Sequence, residues 1–391
     1  MIRRLLLLLV TLALAGCTAA PPPTRVPTPP VSPAQLLLPE PSGTLPTGTT
    51  RVALTDPARR DQIVPGPREL VTQLWYPTAA TAGPLADYAP PGEAGSLAAF
   101  YPVPPRAFTP ASTHSRRDVE ALPGAHPLVL MTHGLCGAGT DLTALAEDLA
   151  SRGYVVASTA STGEAGAVQF PDGRTVSLAD AQGCGVGAAP SSPAGGEVIA
   201  RWQAVRVADQ RFVLDALSRR SGLPHGLDAS IDPTRVAGVG HSFGGSTMFT
   251  VANDDPRVAV AVDLDGFIVG TGQSLAKPAL ILGSGYHDPN GDPSWAQAFP
   301  TLSGWHRWIR VPGAGHYRFM DLGPSAEQWN LRSTMPPETW QQIFGDVDGV
   351  RVHRIVADHT AAFLDRFLRG APAPLLDGPT SAYPDVEFPA A

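Results

Sequence analysis

Val236-Ala237-Gly238-Val239-Gly240-His241-Ser242-Phe243-Gly244-Gly245-Ser246 lies a little past the middle of a 391-residue chain. Its centre, Gly240 to Gly244, is a Gly-x-Ser-x-Gly. In a chain with 40 glycines this pattern alone is weak, and a glycine-rich turn that happens to hold a serine is the plain alternative. The flanks favour a nucleophile. Val236 to Val239 is a short apolar run of strand character, and Gly245 to Val251 reads as the start of a helix. A sharp strand-to-helix turn holds its serine in strained backbone, where only small neighbours avoid a clash. The helix N-terminus then offers unpaired N–H groups and positive dipole to a developing oxyanion.

Outward from that turn, strands and helices alternate. Strands are predicted at Thr50–Leu54, Leu70–Tyr76, Pro127–Thr132, Tyr154–Ser158, Val258–Val262, Ala279–Leu282 and Trp308–Val311. Helical spacing runs over Asp141–Ala150, with Leu142, Leu145 and Leu149 on one face and Gly153 as its stop. Further helices are expected at Glu197–Arg220 and Val352–Leu368, separated from the earlier elements by a Gly-rich insertion, Ser161 to Gly196. The alternation implies an α/β fold: a mostly parallel central sheet, helices on both faces, right-handed crossovers.

A serine nucleophile needs a base, and the base needs an orienting acid. In such a sheet both belong at the carboxyl ends of later strands. Of the ten histidines, His316 alone follows a late strand in a small-residue loop, Val311-Pro312-Gly313-Ala314-Gly315-His316. His353 and His359 fall on the last helix, and His306 precedes its strand. Three carboxylates compete for the acid: Asp263 and Asp265 after one strand, Asp288 after the next. Two backbone N–H groups should form the oxyanion hole. One is that of Phe243, after the nucleophile; the other is that of Leu135, in the loop His133-Gly134-Leu135. His133 itself reads as a structural histidine beneath the loop.

The ends suggest export. Arg3 and Arg4 precede the apolar run Leu5–Leu14, of signal-peptide length and too short to span a bilayer as a finished helix. Leu14-Ala15-Gly16-Cys17 resembles a bacterial lipobox, which would make Cys17 the lipidated mature N-terminus and anchor the chain in a membrane. The expected organisation is a signal peptide over 1–16, a lipidated Pro-rich tether over 17–48, a catalytic domain over 49–372 and a tail over 373–391. Formal net charge is −7 without a basic run, which argues against nucleic acid as partner. With Cys17 lipidated, Cys136 and Cys184 remain, either as one disulfide or as two free thiols.

Taken together, His133-Gly134-Leu135, Gly240-His241-Ser242-Phe243-Gly244-Gly245, Leu264-Asp265, Gly315-His316 and the strand end Leu74-Trp75-Tyr76-Pro77 resemble the plasma type of platelet-activating factor acetylhydrolase and its bacterial relatives. The similarity spans roughly residues 50 to 370. It implies an α/β-hydrolase fold, calcium-independent ester hydrolysis without a metal or other cofactor, and a Ser242-His316-Asp265 triad. It favours Asp265 over Asp288 and carries the two oxyanion donors onto Leu135 and Phe243. Two rivals stay open: a cutinase-type polyester hydrolase or general lipase, and an inactive lipoprotein that binds ligands in an inherited pocket.

Overall fold

Valines, leucines and isoleucines that alternate across a strand need an apolar layer on each side, and the order of elements supplies both. The structure is a computed structural model; it describes residues 35–101, 103–179, 184, 193–268, 275–286 and 293–389. The chain opens with β1 (Thr47–Arg60), β2 (Pro67–Pro77), β3 (Leu85–Asp87), α1 (Pro91–Phe100) and β4 (Ser112–Arg117). Then come β5 (His126–Thr132), α2 (Thr143–Ser151), β6 (Val155–Ala160) and the small hairpin β7 (Ala167–Gln169) and β8 (Thr175–Ser177). The second half runs α3 (Pro193–Ser218), α4 (Leu227–Ser230), β9 (Ile231–His241), α5 (Phe243–Asp254), β10 (Val258–Leu264) and β11 (Ala279–Ser284). It ends with α6 (Pro293–Ala298), β12 (His306–Val311), α7 (Pro337–Ile343) and α8 (Gly349–Arg369).

One ten-stranded sheet has the order β12-β11-β10-β9-β5-β6-β2-β1-β4-β3. From β12 through β6 every neighbouring pair is parallel; β2 joins β6 antiparallel and pairs antiparallel with β1. This is the expected mostly parallel sheet, an α/β-hydrolase architecture. Along β5, Val129 and Met131 enter the core shared with α2 and α8, while Leu128 and Leu130 enter the one shared with α3 and α5. Burying each such side chain contributes roughly 1.5–3 kcal/mol.

Several boundaries differ from the sequence reading. Residues 35–46, expected within a spacer, are part of the folded body. Leu36 and Leu38 are buried, the Leu36 N–H donates to the Ala107 carbonyl (2.8 Å), and the Ser42 N–H donates to Asp148 (2.8 Å). Proline excludes helix there, but an extended strand-like segment can still cover a core. The C-terminal stretch also packs: Leu376, Tyr383 and Val386 are buried, and Arg351 grips Asp385 at 2.7 Å. The helix expected from Asp141 starts at Thr143, because the Asp141 carboxylate folds back to accept the Ala138 N–H (2.8 Å) while Asp321 accepts those of Thr143 (2.8 Å) and Ala144 (3.1 Å). The Gly-rich insertion contains the β7–β8 hairpin. Cys17 and Asp288 lie outside the described residues. Among the described residues no helix is long and apolar enough to cross a membrane.

Candidate active site

Ser242 stands where β9 ends and α5 begins, with φ 57° and ψ −125°, a backbone region costly for any residue with a Cβ. Hydrogen bonds hold it there: its N–H donates to the Leu264 carbonyl at the end of β10 (2.9 Å), and its carbonyl accepts the Gly245 N–H (2.9 Å). Close approach explains the flanking glycines. A Cβ on Gly240 would lie 2.2 Å from the Gly244 carbonyl, and one on Gly244 would lie 2.4 Å from the Thr132 oxygen. Neither position has room for a side chain.

The predicted partners converge on the same edge of the sheet. Asp265 follows β10 with φ 55° and is fully buried; its N–H donates to Leu282 in β11 (2.7 Å). One carboxylate oxygen accepts the Ser284 N–H, and the other lies 2.7 Å from His316 Nδ1. That bond fixes the His316 ring with Nδ1 protonated, leaving Nε2 as the proton acceptor. His316 opens a short helical turn after β12, and that turn is anchored by the buried Arg318, which donates to the Phe344 (2.9 Å) and Gly323 (2.6 Å) carbonyls. Asp263, the third carboxylate, does another job: its Oδ1 accepts the Gly266 N–H at 2.8 Å and closes the turn that carries Asp265.

The loop after β5 lies against the nucleophile. A Cβ on Gly134 would sit 3.3 Å from both Ser242 Cβ and His241 Nδ1, so the chain passes directly beside the serine. Leu135 follows, and its side chain joins an apolar cluster with Phe243, Phe267, Ile199 and Trp202. His133 is buried beneath. Its Nδ1 faces the Gly134 carbonyl (2.7 Å) and its Nε2 accepts the Ser161 N–H (3.2 Å). Burial and the nearby Arg206 charge push its pKa down to about 4, so it is a neutral structural histidine. The Cys136 and Cys184 sulfurs are bonded, with Cα atoms 5.7 Å apart.

The chain is similar to several known proteins. The family described as platelet-activating factor acetylhydrolase, isoform II, matches residues 223–366. A probable 1-alkyl-2-acetylglycerophosphocholine esterase of Arthroderma benhamiae is 24% identical over 397 residues, covering 91% of this chain and 94% of its own length. The platelet-activating factor acetylhydrolase of Cavia porcellus is 28% identical over 100 residues, 25% of this chain and 23% of that one. The chain is thus similar to the platelet-activating factor acetylhydrolase-like family. Among solved structures, a ferulic acid esterase from Streptomyces cinnamoneus superposes with a TM-score of 0.77 at 33% identity, covering 91% of this chain and 100% of that one. The chain is a carboxylic ester hydrolase acting on small-molecule esters.

Three residues of the site escaped the sequence reading. His241, inside the nucleophile turn, lies with its ring 4.5 Å from that of His316 and its Nε2 3.1 Å from the His316 carbonyl. It is buried and braces the histidine loop against the turn. Glu164 and Arg206 form a buried ion pair at 2.6 Å under the loop that holds Leu135. Arg206 lies on the buried face of α3, which also carries Gln203, Asp209 and Gln210, and it is a signal that could have marked the pair, since a buried charge demands a partner.

Proposed function

We propose that the chain is a serine esterase in which Ser242, His316 and Asp265 form the catalytic triad and the Leu135 and Phe243 N–H groups form the oxyanion hole. The observation that carries this reading is the 2.7 Å contact between His316 Nδ1 and the unexposed Asp265 carboxylate, beside a serine in a strained strand-to-helix turn. Ser242 Oγ attacks the ester carbonyl carbon as His316 Nε2 takes its proton. The tetrahedral oxyanion accepts the two backbone N–H groups. Collapse expels the alcohol, which leaves with the proton from His316. Water, deprotonated by the same imidazole, attacks the acyl-serine, and collapse of the second intermediate returns Ser242 and releases the carboxylic acid.

The substrate class we infer is short-acyl or oxidised phospholipid esters, in line with the family match over 223–366 and the fungal relative that spans 91% of the chain. A second reading, an aromatic acyl ester, is favoured by the ferulic acid esterase likeness and by the Phe243–Phe267 ring stack at 6.0 Å beside Leu135. The sequence also supports export, with Cys17 as a lipid anchor. A Cys136–Cys184 disulfide fits an oxidising compartment.

The deciding experiment is an ester panel run on the parent and on Ser242→Ala: p-nitrophenyl acetate, a short-chain phosphatidylcholine, methyl ferulate and polyester film. Ser242→Ala should lose nearly all turnover and all labelling by a fluorophosphonate; retention of either excludes the serine mechanism. A methyl ferulate rate that exceeds the phospholipid rate by an order of magnitude selects the second reading. Mass spectrometry of the mature N-terminus tests the anchor, since an unmodified Cys17 or an uncut Met1 rules it out.

A further inference from the structure

The Arg206–Glu164 pair lies under the oxyanion loop, with side chains 1% and 0% exposed. Arg206 extends from α3 and Glu164 from the loop after β6. The guanidinium donates twice to the carboxylate (2.6 Å each), once to the His133 carbonyl (2.6 Å) and once to the Gly134 carbonyl (2.9 Å). The carboxylate in turn accepts the Cys136 N–H at 2.9 Å. Burial opposes ionisation of Glu164, but the Arg206 charge and its hydrogen bonds outweigh it and hold the carboxyl below its usual range.

These contacts bracket one peptide plane. The Gly134 carbonyl and the Leu135 N–H belong to the same planar trans unit and point in opposite directions. A donor that fixes the carbonyl therefore fixes the direction of the N–H. It also draws electron density from the amide and strengthens that N–H as a donor. The next plane is held through Cys136 by Glu164. The guanidinium also lies 4.8 Å from the centre of the Phe243 ring, whose backbone N–H is the second expected donor. Stability alone is a poor reason for such a pair, because replacing a buried ion pair with well-packed apolar residues is often neutral or stabilising.

We propose that Arg206 and Glu164 are positioning residues that orient and polarise the Gly134–Leu135 peptide toward the oxyanion. The inference rests on the serine-esterase reading above and adds to it the device that sets the oxyanion hole. Arg206→Lys keeps the charge and loses the fork, and should lower kcat/KM by about 10- to 100-fold, a part of what loss of one oxyanion donor costs. The affinity for a trifluoromethyl ketone that forms a tetrahedral adduct should fall by the same factor. Inhibition by an ether analogue of the substrate, which forms no adduct, should stay within about threefold. Glu164→Leu/Arg206→Met removes the buried charges together, so it should recover thermal stability without recovering kcat/KM.

Rates are taken per active site titrated with a phosphonate. If Arg206→Lys keeps kcat/KM within about threefold of the parent, or if the double variant regains activity together with stability, the pair is structural only and the proposal fails. If Arg206→Lys does not fold, the double variant decides alone. Ser242→Ala in the same series separates the two levels. Turnover in that variant would overturn the esterase reading and this inference with it, whereas an inert Ser242→Ala beside fully active pair variants overturns this inference only.

Discussion

Asp265→Asn tests the site most sharply, because the change is nearly isosteric and the position is fully buried. One carboxylate oxygen accepts the Ser284 N–H and the other faces His316 Nδ1 at 2.7 Å. An asparagine has one acceptor for these two places. If its oxygen stays on Ser284, its amide N–H groups face His316 Nδ1. The imidazole must then accept at Nδ1 and carry its proton on Nε2, where it cannot take the proton of Ser242. If the amide flips, a buried N–H is driven against the Ser284 N–H, at roughly 1–3 kcal/mol for the unsatisfied donor. The transition state also loses the carboxylate that stabilises the forming imidazolium. A wrong tautomer of this kind costs on the order of 10⁴ in kcat, or about 5 kcal/mol at 1.36 kcal/mol per decade. Hydrolysis of p-nitrophenyl acetate gives the number, with circular dichroism to show that the fold is kept. A loss below about tenfold refutes the reasoning. If Asp288→Asn shows the large loss in its place, the orienting acid belongs to the loop after β11.

Three further outcomes are expected. Gly245→Ala should unfold the nucleophile turn or lower its melting temperature sharply, because the new Cβ would sit 1.8 Å from Asp263 Oδ1; an unchanged melting curve contradicts this packing. Replacing Cys136 and Cys184 together by serine should cost about 4 kcal/mol in urea unfolding by the chain-entropy account of a 48-residue loop; a loss below about 1 kcal/mol argues against a disulfide-tied loop. Burial raises the Asp141 carboxyl from 3.8 to about 6, against the hydrogen bonds from Tyr101 and Ala138. The folded state then holds a proton that the unfolded state has released. Stability therefore falls as pH rises from about 4 to about 6, by at most about 3 kcal/mol, and buried Asp321, shifted the same way, adds to it. Asp141→Asn should flatten the pH dependence of the urea midpoint across that window, and an unflattened profile denies Asp141 this role.

The candidate site was legible because it is written in local patterns. The apolar run of β9, the glycines around Ser242 and the small-residue loop before His316 each follow from what the backbone must do at that point. Asp265 was legible only beside Asp263 and Asp288, since a carboxylate at a strand end is equally suited to closing a turn, as Asp263 does for Gly266. The β3–β4 edge and α1 were hidden by proline and glycine: α1 begins Pro91-Gly92, a composition that argues for loop, yet proline in a first turn gives up no helix bond. Residues 35–46 read as a spacer for the same reason, and Leu36 and Leu38 gave too short a signal against the prolines around them. Glu164 and Arg206 stand 42 residues apart, and periodicity reports which face is buried, not which partner waits there.

Backbone strain marks the same place from another direction. Cys136, Ser242 and Asp265 are three of the seven described non-glycine residues with positive φ, at 57°, 57° and 55°. They are an oxyanion-loop residue, the expected nucleophile and the expected acid. Such positions cost of order 1–3 kcal/mol each and persist only where their surroundings over-determine them. Each is pinned by a bond reaching into another element: Ser242 to Leu264 of β10, Asp265 to Leu282 of β11, and Cys136 to Glu164 beyond β6. The strand order β11-β10-β9-β5-β6 makes these elements consecutive, so the strained residues are locked in a chain across the sheet edge. The precision of the site thus comes from the ladder beneath it. A variant that loosens one pinning bond should shift the geometry of its neighbours before it lowers the stability of the fold, which is why the tests above read turnover and unfolding separately.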